Sequence, residues 1–157
     1  MAADATRRVV AGNVAEITPG NRKLIVPFGG RAGIGVFNVN GNYYALRNLC
    51  PHKQGPLCVG RVSGRVVAAA PPSTYAPHLE LVRDGEIIRC PWHLYEFEIA
   101  TGRCLVDPQL RVKTFPVAVE GDEVVVYADA ADLPQQRQGE TVQQPGADQE
   151  SFRPARP

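Results

Sequence analysis

No stretch of this 157-residue chain stays apolar for long. The longest purely apolar run is Val66–Ala70, extended only by two prolines, whereas a spanning helix needs about 20 such residues, so no membrane is expected as a partner. An excess of charge of one sign is missing too. With 17 Lys plus Arg against 16 Asp plus Glu, the net charge is +1; that leaves no field for holding DNA or RNA, and no nucleic acid is expected. Nor is an export signal in evidence, because Val9-Val10-Ala11 after Arg7-Arg8 is cut short by Gly12 and Asn13. The expected compartment is cytoplasmic, where thiols are kept for metals or chemistry more often than for disulfides. Length is limited as well, sufficient for one ordinary domain and not for a carrier domain joined to a catalytic one.

What the chain has in quantity is punctuation. Fifteen Gly and 14 Pro interrupt it too often for long helices and favour short strands joined by turns. Between Val9 and Asn48, runs rich in β-branched and aromatic residues are separated by Pro19-Gly20-Asn21, Gly29-Gly30 and Asn40-Gly41-Asn42, which predicts four strands. Asn40-Gly41 predicts a tight hairpin, since both residues tolerate the positive φ such a turn demands. Thr114–Val119 and Glu123–Tyr127, flanking Gly121-Asp122, predict a second hairpin. From Leu133 to Pro157 there are six Gln, four Pro and few sizeable apolar groups. Such a segment buries too little to offset the entropy of ordering it. Residues 1–131 are therefore expected to form one domain, with a disordered tail over 132–157.

The chemistry gathers in two short clusters, Cys50-Pro51-His52 and Cys90-Pro91-Trp92-His93. The chain has only three histidines, and two of them lie within three residues of a cysteine that is itself followed by proline. Thiolate and imidazole together suit zinc and iron–sulfur clusters. A zinc finger commonly pairs Cys with Cys at one end and His with His on a helix. Here each element carries one of each kind in a Pro-containing loop. A binuclear cluster in which two His replace two Cys on one iron would draw one ligand of each kind from each of two facing loops. A structural zinc site with the same four donors is the plain alternative.

These loops resemble those of Rieske [2Fe-2S] proteins, and the likeness extends outward. Asn48-Leu49-Cys50-Pro51-His52 with Gly55-Pro56-Leu57, Cys90-Pro91-Trp92-His93 with Phe97, Ala100-Thr101-Gly102-Arg103 and Val112-Lys113-Thr114-Phe115-Pro116-Val117 look like the small ferredoxin components of bacterial ring-hydroxylating dioxygenases. The resemblance covers roughly Val9 to Tyr127. It implies an all-β Rieske fold, with antiparallel base sheets and a small cluster-binding subdomain whose loops span 50–58 and 90–97. It further implies one [2Fe-2S] cluster per subunit, with Cys50 and Cys90 on the buried iron and His52 and His93 on the exposed one. The protein would then be a one-electron carrier between a flavin reductase and a terminal oxygenase, with catalysis on the partner. Small subunits of assimilatory nitrite reductase share the fold and size, and a redox-sensing subunit is a further alternative. Adjacency to the imidazoles nominates Pro51, Lys53, Gln54, Trp92 and Leu94 for partner contact.

Departures from the family pattern carry expectations of their own. Gln54 and Leu94 stand where loop glycines are common, and bulkier residues there change how backbone amides approach the cluster. The extra loop cysteines and the serine of higher-potential relatives are missing, so the expected potential is near about −150 mV, the low end of the Rieske range. Between His52 and Cys90 lie 37 residues, more than such ferredoxins usually have, so an insert is expected over about 61–89. Within it, Leu79–Arg83, Asp84-Gly85 and Glu86–Arg89 read as a hairpin. Cys58 and Cys104 are expected as two packed thiols, His78 as a solvated loop residue, Trp92 as partly exposed, and Tyr95 and Phe97 as one core-facing strand face.

Overall fold

Asn40 and Gly41 both take positive φ, 52° and 91°, and close the turn that sets the first register. They join β3 (Ile34–Val39) to β4 (Asn42–Arg47), pairing Val39 with Asn42 and Ile34 with Arg47. A computed structural model describes residues 7–28, 31–69 and 78–133, and among these there is no α-helix. β2 (Arg22–Ile25) adds to the outer side of β3 and β8 (Thr114–Phe115) to β4, giving a four-stranded antiparallel sheet in the order β2-β3-β4-β8. A second sheet runs β1 (Arg8–Asn13), β10 (Glu123–Tyr127), β9 (Val117–Glu120). The third, in the order β5-β6-β7, consists of β5 (Arg61–Ala69), β6 (His78–Arg89) and β7 (Glu96–Glu98).

The four strands expected before Asn48 are present as β1 to β4. Two other expectations need correction. Thr114–Val119 is not one strand, because Pro116 has no N–H to donate to a ladder. Its carbonyl accepts from the amide of Tyr127 at 2.9 Å, and the chain passes there from β8 in one sheet to β9 in the other. Leu79–Arg89 is not a hairpin either. It lies within the single strand β6, which pairs with β5 along both halves. The Asp84-Gly85 signal marks a bulge instead: Ser63 pairs with Ile87 and Arg65 with Val82, leaving Gly64 opposite Arg83–Glu86. Arg83 and Gly85 have φ of 54° and 81°, and a Cβ on Gly64 would stand 2.4 Å from the Val82 carbonyl oxygen. The insert is thus a lengthened β5–β6 hairpin, and His78 opens β6, exposed, rather than lying in a loop. Residues 70–77, between β5 and β6 in sequence, lie outside the described residues.

At the C-terminal end, packing continues past the expected boundary. A 3-10 turn covers Ala130–Asp132, and Leu133 packs on Ala118, Val125 and Tyr127. The rest of the expected tail, 134–157, lies outside the described residues. Burial falls into two main clusters. One, around Ile34, Val36, Ala45, Val117, Val124 and Val126, glues the first two sheets together. The other gathers Phe37, Leu46, Leu57, Ile88, Phe97 and Ile99 beneath the cysteine loops and includes all four cysteines.

Candidate metal centre

The loop after β4 and the loop after β6 are built alike. In the first, the Cys50 amide donates to the Gly55 carbonyl at 2.8 Å and the Gln54 amide donates to the Cys50 carbonyl at 2.8 Å. In the second, the Cys90 amide donates to the Tyr95 carbonyl at 2.8 Å and the Leu94 amide to the Cys90 carbonyl at 3.0 Å. Each loop therefore closes between the cysteine and the residue five positions on. Proline directly after each cysteine supplies the fixed φ that the start of such a turn favours. Gln54 and Leu94, where the family pattern has glycine, are held in the left-handed region at φ of 61° and 62°. The backbone demand that glycine meets elsewhere is thus still imposed here.

This geometry sorts the four candidate donors by depth. Cys50 and Cys90 are 2% and 1% exposed, rooted in the core cluster. His52 is half-buried and His93 exposed. The imidazoles meet edge to face with ring centroids 4.9 Å apart. Tyr95 stacks on His52 at 4.2 Å and 23°. Burial pushes the Cys50 thiol pKa up and the neighbouring Cys90 adds to that, while backbone amides of His52 and Lys53 oppose it. Two thiols side by side in an apolar bed ionise together only when cations share the site.

Whether these residues fit a metal group is tested by an atom without a partner. His52 Nδ1 is buried with no hydrogen-bond partner, a costly arrangement for an imidazole nitrogen unless something else is bound there. Among the described residues no three His, Cys, Asp or Glu side chains converge as they would on a single ion. Bridged irons take two protein donors each, and the paired thiols below with paired imidazoles above fit that division.

The remaining expected residues fall where adjacency suggests, with differences in depth. Lys53 and Gln54 are exposed and Pro51 half-buried, while Trp92 and Leu94 are 58% and 64% exposed. Phe97 is fully buried in β7. Tyr95 precedes β7 and, as expected, packs against the same core cluster as Phe97, while its ring also stacks on the His52 imidazole. Sequence reasoning missed that role; the only signal was an aromatic two residues after the second histidine. Cys58 and Cys104 are free, buried thiols, as expected. The Cys58 amide donates to Asn48 Oδ1 at 2.7 Å, tying the first loop back to the end of β4.

Residues 7–116 match the Rieske [2Fe-2S] domain. The chain belongs to this family. It is 30% identical over 94 residues to the ferredoxin component of the naphthalene 1,2-dioxygenase system of Pseudomonas aeruginosa, an alignment covering 59% of this chain and 70% of that protein. Among solved structures it resembles the Sphingomonas yanoikuyae B1 ferredoxin, with a TM-score of 0.56 and 27% identity, covering 78% of this chain and 99% of that one. It also resembles a chain in the complex of reduced oxygenase and oxidized ferredoxin in carbazole 1,9a-dioxygenase, with a TM-score of 0.59 and 22% identity over 79% of this chain and 95% of that one. This Rieske chain accordingly uses a [2Fe-2S] cluster and carries electrons. No helix among its described residues is long and apolar enough to cross a membrane.

Proposed function

We propose that this chain is the ferredoxin of a multicomponent oxygenase, taking one electron from a cytoplasmic flavin reductase and delivering it to a terminal, ring-hydroxylating oxygenase. Cys50 and Cys90 would hold the inner iron, His52 and His93 the outer one. The bound cluster supplies a centre that accepts and releases a single electron. The protein's own part is to bury the thiolates, keep water from the sulfur side and present the imidazoles at the surface. The observation that carries this reading is the depth order of the donors, two thiols in the core and two touching imidazoles at the rim. A rim of Trp92 and Leu94 around exposed His93 offers an apolar ring for a docking partner, the kind of surface that excludes water at the centre of a transient interface. The likeness to ferredoxin components of dioxygenase systems adds the partner class.

Two measurements test it. Electron paramagnetic resonance of the reduced protein is expected to give an average g value below that of all-cysteine binuclear clusters, and Cys50→Ser or Cys90→Ser is expected to lose the cluster. Reduced protein is expected to reoxidise faster when a ring-hydroxylating terminal oxygenase and its substrate are added; an unchanged rate overturns the oxygenase assignment while leaving the cluster intact.

A further inference from the structure

The two imidazoles are not equivalent. His93 is exposed, with the Trp92 and Leu94 side chains open to solvent beside it. His52 is half-buried, edge to face with His93 at 4.9 Å and stacked with the Tyr95 ring at 4.2 Å and 23°. Its Nδ1 has neither solvent nor a hydrogen-bond partner. Tyr95 belongs to the second loop and His52 to the first, so the stack crosses between them. The Tyr95 backbone is itself held by the amide of Cys90 at 2.8 Å, which ties the ring to the second cysteine. A ring anchored in this way restricts rotation of the imidazole it covers, because stacking over a flat face is lost once the two planes turn apart.

We propose that Tyr95 is a positioning residue for His52: it stacks on and holds one ligand imidazole, leaving His93 the more open of the two for electron exchange. This rests on the ligand assignment proposed above. It adds that the two histidine positions do different work, His52 as a held inner ligand and His93 as the contact presented to a partner.

The test uses the oxidised, cluster-containing protein and diethyl pyrocarbonate, which acylates a free imidazole nitrogen, with peptide mapping to read each histidine separately. In the native protein His93 is expected to react several-fold faster than His52. Tyr95→Phe keeps the ring and is expected to retain this difference. Tyr95→Leu keeps apolar bulk without a stacking face and is expected to bring His52 close to the rate of His93. Its reduced-state resonance is expected to broaden as the imidazole samples more orientations, with iron and sulfide content unchanged. Equal reactivity of the two histidines in the native protein overturns the proposal, as does continued protection of His52 in Tyr95→Leu at full cluster content. If Tyr95→Leu does not retain its cluster, Tyr95→Met, which also lacks a stacking face, carries the same expectation, and continued protection of His52 in it at full cluster content overturns the proposal. Failure of histidine ligation itself would appear separately, as an all-cysteine g value in the native protein.

Discussion

The indole of Trp92 lies against Gly55, the residue that closes the opposite loop. A Cβ at position 55 would stand 2.8 Å from Cδ2 and 2.9 Å from Cγ of that ring, closer than side-chain carbons approach one another, so only glycine lets the second loop settle on the first. Gly55→Ala is expected to push the indole outward at a cost of about 1–3 kcal/mol, the range for overpacking. Trp92 is the sole tryptophan of the chain, so its emission reports the displacement directly as a red shift. Adding Trp92→Ala is expected to restore most of the lost stability, since the two changes share one contact. An unmoved emission maximum in Gly55→Ala would show that the ring does not rest there.

Gln54 and Leu94, both left-handed, carry a backbone strain of roughly 1–2 kcal/mol each, which glycine does not incur. Glycine in turn loses more freedom on folding, about 0.5–1 kcal/mol. The balance predicts that Leu94→Gly raises unfolding stability slightly, by up to about 1 kcal/mol. Thermal unfolding of the cluster-containing protein measures this. A clear loss of stability would mean that the exposed leucine side chain contributes packing that its exposure conceals.

Much of this architecture is legible in the residue order because its determinants are local. Asn40-Gly41 dictates a hairpin by φ preference alone, and the repeated pairing of Cys with His near a proline identifies the loops without reference to anything distant. What is not legible depends on partners remote in sequence. Asp84-Gly85 has the chemistry of a turn, yet it forms a bulge because β5 occupies the position a hairpin strand would have taken. Pro116 looks like a mere interruption, and only the neighbouring strands reveal that it hands the chain from one sheet to another. Tyr95 and Phe97 share an alternation that suggests a common face, and both reach the same core cluster, but only the fold shows that Tyr95 also stacks on an imidazole in the other loop.

Cys58 is expected to be chemically silent. Burial pushes its thiol up to about 12, a shift that the Gly35 amide and the Arg22 charge only partly offset. Iodoacetamide at pH 8 should leave Cys58 unmodified in the native protein and label it fully in denaturant, as read by mass spectrometry of the digested chain. Native labelling at Cys58 would contradict the tight contact with Gly35, where an added Cβ would meet its Sγ at 2.7 Å.

Tyr127 contributes to alkaline stability alongside Cys58 and Tyr44, which burial also shifts upward. Its phenol is raised to about 12, first by burial and then by its hydrogen bond to the Glu120 carboxylate and the charge there, with Arg8 opposing. The folded protein thus holds this proton where the unfolded chain, near 10, releases it. The resulting stability is fully present below pH 10 and is lost as the pH rises from 10 through about 12. Tyr127→Phe is expected to flatten that part of the profile, measured as the urea midpoint at pH 8 and pH 11. An equal fall between those pH values in the variant would assign the loss to another group.

The irregularity opposite Gly64 divides the longest hairpin into two segments with separate duties. Ile87–Arg89, on the inner segment, are clamped between β5 and β7 and deliver the chain to Cys90. Beyond the offset, Arg65–Ala69 and His78–Val82 pair with each other among the described residues. The outer arm therefore joins the strand that leads into Cys90 through the offset at Gly64, where the ladder is interrupted.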